Sequence, residues 1–176
     1  MQVANLGSIQ STQAIRDIAI MGDPDLQGLA YVALLRLGDS SLLDQAIGFA
    51  QQSAPDLAVK RMQFGVAEAI GDIRDRSVLP TLNSLLGSPN VSLRRAAAKA
   101  LRAINDPSSA HFLVRALDDS DAEVQYDAVM ALAALTDASS GNAPARDIFD
   151  QNPAKYVGYW KNWWEASGKR RYEPSH

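Results

Sequence analysis

The chain has no cysteine. That excludes disulfides, thiolate metal sites and a cysteine nucleophile, and it leaves the redox compartment open. No apolar run approaches the roughly 20 residues that a bilayer-spanning helix needs, so no membrane span is expected. Histidine occurs only at positions 111 and 176. A zinc centre wants three or four ligands, so no metal is expected, and nothing in the chain calls for another cofactor. A basic surplus is also missing: 17 Lys and Arg stand against 20 Asp and Glu, a net charge of -3. Bulk attraction to nucleic acid or to an anionic membrane is therefore not implied. The opening residues MQVANLGSIQSTQAI have neither a basic start nor an apolar centre, so they do not read as a signal peptide. The expectation is a soluble protein, either cytoplasmic or exported with its signal already removed. The first helix looks like the second half of a repeat, which suits a trimmed chain.

What the chain has is self-similarity. Leu93, Ala97, Leu101, Ile104 and Asp106 recur 31 residues later as Val124, Ala128, Leu132, Leu135 and Asp137. Met62, Val66, Ile70, Leu82 and Leu86 stand 31 residues before Leu93, Ala97, Leu101, Leu113 and Leu117. Leu26, Ala30, Leu34 and Leu37 stand 36 residues before Met62, Val66, Ile70 and Ile73. Hydrophobic residues make up 47% of the chain and are mostly Ala and Leu, with helical spacing throughout. The pattern predicts helices over 8–21, 25–37, 41–52, 56–73 and 77–87, then a hairpin and one further helix across 88–136. Leu26, Leu29, Ala30, Leu34 and Leu37 are expected to face the core. Repeats this short bury their faces only against neighbours. The expected organisation is a single domain, 1–176. It holds a partial repeat at 1–21, repeats at about 22–55, 56–87, 88–119 and 120–166, and a flexible tail at 167–176. A loop at 137–152, with a short turn near 146–149, interrupts the last repeat.

Asp39, Asp75, Asp106 and Asp137 fall where each first helix hands over to the second. A short carboxylate there accepts backbone N–H groups at the next helix start, so these acids read as structural. Together with the Ala-rich helices ending in Leu-x-x-Ile and the helix-starting Pro or Asp, they make residues 22–136 resemble HEAT-like repeats. The resemblance is to the short bacterial type also found in phycobilin lyases. It implies an all-α, right-handed α-solenoid, an armadillo-like superhelix whose second helices line the concave side. It does not imply one function. Where the family pattern commonly carries Arg, this chain has Gln27, Gln63, Arg94 and Gln125. A continuous Arg–Asp ladder is therefore not expected: only Arg94 can pair with a loop Asp, and the glutamines keep neutral hydrogen bonds. The His-Glu metal pairs of HEAT-like deoxyhypusine hydroxylases are missing, since neither histidine precedes a Glu.

Under that resemblance the concave side carries Ser84, His111, Phe112 and Arg115. Phe112 stands out because its equivalents, Gln45 and Thr81, are polar. Two readings stay open for it: an aromatic anchor for a partner, with His111 and Arg115 adding hydrogen bonds and charge, or packing on the next repeat or on the 137–152 loop. Ser84, His111 and Asp118 make a triad only on paper, without a nucleophile elbow or an oxyanion hole. Charge is banded. Residues 56–102 hold 8 basic and 4 acidic side chains, and residues 103–150 hold 2 basic and 9 acidic. The cations Lys60, Arg61, Arg94, Arg95, Lys99 and Arg102 fall on first helices, the convex side, where HEAT-like glycosylases do not hold DNA. Nucleic acid is not the expected partner. The acids Asp118, Asp119, Asp121 and Glu123 suit the positive end of a helix dipole.

All three Trp lie within residues 153–166. Tyr156, Trp160 and Trp163 share one helical face, with Trp164 at its border. The end of a repeat array needs covering, so this segment is expected to form an aromatic capping helix, with an exposed aromatic platform as the alternative. The function expected from the sequence is a non-catalytic protein–protein interaction scaffold whose partner sits on the concave surface. The alternatives are an enzyme or enzyme subunit of the bilin-lyase type, or a regulatory domain cut from a larger protein.

Overall fold

The computed structural model describes residues 2–53, 57–136 and 142–172. Every regular element among them is helical. The chain divides into two compact units, Met1–Ile73 and Arg74–His176.

The first unit holds α1 (Gln2–Met21), α2 (Pro24–Arg36), α3 (Leu43–Gln51) and α4 (Leu57–Gly71). Asp23 starts α2 by accepting the Leu26 N–H at 3.0 Å, and Pro24 sits in the first turn, where no N–H is missed. α2 packs against both α1 and α4. A Cβ on Gly28 would lie 2.7 Å from Met62 Cβ, so the α2–α4 approach requires glycine. The buried stripe of α2 is Ala30, Tyr31, Leu34 and Leu35. Three leucines expected in the core are not there: Leu26, Leu29 and Leu37 are 48%, 55% and 65% exposed. α2 is apolar over more than one face, and the Tyr31 ring pairs with Phe49 at 5.7 Å. Burying that aromatic pair turns the expected leucine stripe outward.

The second unit begins with a 3-10 turn, Arg76–Val78, then α5 (Leu79–Leu85) and α6 (Val91–Ile104). A second 3-10 turn, Pro107–Ser109, precedes α7 (Ala110–Ala116) and α8 (Ala122–Leu135). Asn90 caps α6 through the Ser92 N–H, and Asn105 ends it in the left-handed region, φ 52°. α6 and α8 pack side by side. Leu93, Ala97 and Leu101 on one, and Val124, Ala128 and Leu132 on the other, are sealed from solvent. The alanines permit the close approach that the 31-residue pattern predicts.

The loop acids act alike. Asp39, Asp75 and Asp106 accept the N–H of the Ser two positions on, at 3.0, 2.8 and 2.9 Å. Asp75 and Asp106 also accept that serine's hydroxyl, each at 2.7 Å. Asp39 is additionally held by Arg16 at 2.6 Å and Asp106 by Arg76 at 3.3 Å. The Ser108 hydroxyl and N–H hold the Asp106 carboxyl below its ordinary pKa. Asp137 lies outside the described residues.

The chain then forms α9 (Arg146–Gln151), α10 (Pro153–Trp163), a π-helical turn Trp164–Gly168, and α11 (Lys169–Tyr172). α9 occupies a stretch expected to be mostly loop. It is anchored by Phe149, fully buried with its ring 5.3 Å from Tyr126 and 6.1 Å from Tyr156. α10 packs on α8. Tyr156, Trp160 and Trp164 are buried, whereas Trp163 is half-buried and stacks at 5.9 Å on Tyr172. The π turn accounts for the exchange of Trp163 for Trp164: its wider winding carries Trp164 inward. A Cβ on Gly168 would lie 2.6 Å from the Trp164 ring and 2.7 Å from that of Trp163, so this turn needs glycine. The helix continues to Tyr172, past the point where a frayed tail is expected, because the Tyr172 hydroxyl donates to the Leu135 carbonyl at 3.1 Å.

Candidate interaction groove

The second unit carries a groove of about 380 Å³ between the end of α5 and the α7 segment. Asn83, Ser84, Leu86 and Gly87 form one wall. Phe112, Arg115, Ala116, Asp118 and Asp119 form the other. Three of the four residues singled out from the sequence, Ser84, Phe112 and Arg115, therefore line one concavity. His111 is not among the lining residues. Its ring stacks on Phe112 with centroids 3.8 Å apart, which supports the Phe112 ring from behind. The paper triad is not assembled: Ser84 and Asp118 reach the groove and His111 does not.

The groove owes its shape to ion pairs from α6. Arg94 grips Asp119 through two nitrogens, at 2.7 and 3.1 Å, and donates to the Ser88 carbonyl at 2.9 Å. One guanidinium thus ties together the loops after α5 and after α7, the two lips of the groove. Arg95 is bidentate to Asp121 at 2.9 and 2.6 Å, and Arg102 reaches Asp127 at 2.9 Å. Arg146 binds Glu123 and Lys161 binds Asp118. Each acid of the 118–123 run therefore has a basic partner from another segment, and Asp121 also caps α8 through the Glu123 and Val124 N–H groups. The acidic band answers the basic band before it. Arg102 and Arg146 further lie over the Tyr126 ring, at 5.5 and 5.2 Å.

The glutamines at the other repeat-equivalent positions keep only the carbonyl contact. Gln27 donates to Ile20, Gln63 to Phe49 and Gln52, and Gln125 to Asp119, at 3.3, 3.0, 2.8 and 2.7 Å. Arg94 adds the ion pair to this shared bond.

Two paired carboxylates titrate in opposite directions. The Arg95 hydrogen bond holds Asp121 below its ordinary pKa. Burial pushes Asp127 above it, against the bond from Arg102. Asp121 therefore contributes stability above the unfolded value of about 4, lost as pH falls through its depressed folded value. Asp127 contributes stability below that value, lost as pH rises through its raised folded value. At neutral pH, Asp121→Asn should lower the melting temperature and Asp127→Asn should raise it. Both differences should shrink as the carboxylates protonate, which thermal melts across the acid range would check.

Sequence reasoning missed Asn83, Leu86 and the Arg95, Arg102 and Arg146 pairs. For Asn83 the signal was present: its equivalent 31 residues on is the apolar Val114. Asn83 is only 9% exposed, and its Oδ1 has no hydrogen-bond partner among the described residues.

Among the described residues no helix is long and apolar enough to cross a membrane, and no group of three or more His, Asp or Glu is placed to hold a metal ion. In comparison with known proteins, residues 60–133 match the family of HEAT repeats. No curated protein matches the chain.

Proposed function

We propose that this chain, similar to HEAT repeats over residues 60–133, is a non-catalytic scaffold that binds another protein on the concave side of its repeats. HEAT repeats generally mediate protein–protein interaction. The observation that carries the reading is the groove between α5 and α7. It gathers an aromatic ring, a cation and neutral hydrogen-bonding groups in one concavity, the composition of a protein-binding hot spot. Right-handed superhelical stacking of the hairpins, and covering of the last hairpin by the aromatic helix α10, are parts of the same proposal. A preformed surface of this kind loses little entropy on binding.

An affinity pull-down from the native host, beside a Phe112→Asp, Arg115→Glu double variant, tests it. A protein recovered by the wild type and lost by the still-folded variant is the expected result. Recovery of the same protein by both would move the contact surface elsewhere. Co-purification of a pigment or another small molecule, with no protein, would overturn the scaffold in favour of a bilin-lyase type subunit.

A further inference from the structure

The cations and acids around the groove are unequally committed. Asp119 is held by Arg94 and Asp118 by Lys161, so both lining carboxylates are already answered. Arg115 projects from α7 into the same groove, exposed, and forms no ion pair among the described residues. The site therefore presents one uncompensated positive charge beside the Phe112 ring, with the nine-tenths-buried amide of Asn83 across from it. A guanidinium fork matches a carboxylate in geometry and charge. A doubly charged phosphate would call for a second cation, and the neighbouring ones are occupied.

The nearest backbone N–H groups are spoken for as well: Ser88 Oγ accepts from Asn90 N, and Asn90 Oδ1 accepts from Ser92 N. A chain terminus, which is commonly held by such N–H groups, has no cradle here. The amide of Asn83, by contrast, carries a donor and an acceptor side by side, the complement of a peptide group.

We infer that the α5–α7 groove takes an extended segment of a partner protein bearing an internal Asp or Glu side chain next to a bulky apolar residue. The acid pairs with Arg115, the apolar residue lies against Phe112 and Leu86, and Asn83 bonds the peptide backbone. This rests on the scaffold reading and specifies its ligand.

The test selects random octapeptides on the full chain from two displayed libraries, one presenting them internally and one with a free C-terminus. The internal library should enrich Asp or Glu within two positions of a bulky apolar residue. For a selected synthetic peptide, replacing the acid by its amide should weaken binding about tenfold or more, as expected for a charged hydrogen bond. Arg115→Gln should cause the same loss, the two losses should not add, and Arg115→Lys should restore part of the affinity. Arg115 is exposed, so the Gln variant should melt with the wild type. Enrichment of neutral peptides, enrichment confined to free C-termini, insensitivity to Arg115→Gln, or no enrichment would each overturn the inference. If the pull-down still yields a partner that the double variant loses, only the carboxylate assignment fails. If both experiments fail, the scaffold reading fails with it.

Discussion

Trp160→Ala should destabilise the second unit by about 3–5 kcal/mol, the usual cost of truncating a buried tryptophan. Trp160 is fully enclosed, 0% exposed. Its indole N–H donates to the Asn142 carbonyl at 3.0 Å, and its ring meets Tyr159 and Trp163 edge-on at 5.1 and 5.4 Å. Truncation removes apolar burial and two ring contacts, and it leaves a buried carbonyl without its donor. Trp163→Ala should cost clearly less, because that ring is half-buried. Urea denaturation followed by far-ultraviolet circular dichroism separates the two variants. An unchanged midpoint for Trp160→Ala would sink the proposal that α10 covers the end of the repeats, and would favour an aromatic platform for a ligand.

The C-terminal segment also shows where a regular pattern stops being a guide. Spacing of four and three places Tyr156, Trp160 and Trp163 on one α-helical face. A π turn is invisible to that arithmetic, and it exchanges Trp163 for Trp164. The clue lay in Gly168, whose missing side chain leaves room for two indole rings. Phe149 was hidden for a related reason. It sits in a stretch without helical periodicity, and only its tertiary neighbours Tyr126 and Tyr156 make it core. The hairpins of 57–135 were legible because one strong constraint, alanine-lined close packing of α6 on α8, repeats at a fixed interval. α2 was less so: its several apolar faces offered more than one solution, and the Tyr31–Phe49 pair decided among them.

At the groove, Phe112 and Arg115 could be read from the sequence because each differs from its repeat equivalents. The ion pairs could not be assigned in the same way. Arg94, Arg95 and Arg102 reach acids 25, 26 and 25 residues away, separations unrelated to the 31-residue period. Counting charges showed a basic band followed by an acidic one. Pairing them needed the path of the chain through α7, which brings residues 118–127 back beside α6.

Those pairs are not equal, and Arg94 carries the largest expected effect among them. Both partners are largely buried, with side chains 15% and 9% exposed for Arg94 and Asp119. Deleting Arg94 strands Asp119 in a poorly hydrated site and releases the Ser88 carbonyl. Arg94→Ala should cost about 3 kcal/mol, the scale for breaking a buried pair from one side. Arg95→Ala should cost under about 1 kcal/mol, because Arg95 is half exposed and solvent screens it. The double variant Arg94→Met, Asp119→Leu removes both charges at similar volume, so it should recover much of the Arg94→Ala loss. Partner binding supplies the second readout. Arg94 joins both lips of the groove without lining it, so Arg94→Ala should weaken binding through loss of groove shape. In the double variant stability should return ahead of affinity, because the Asp119 bond to the Asp121 N–H, which shapes the loop after α7, is then also gone. Equal recovery of stability and affinity would mean that the pair supports the fold alone.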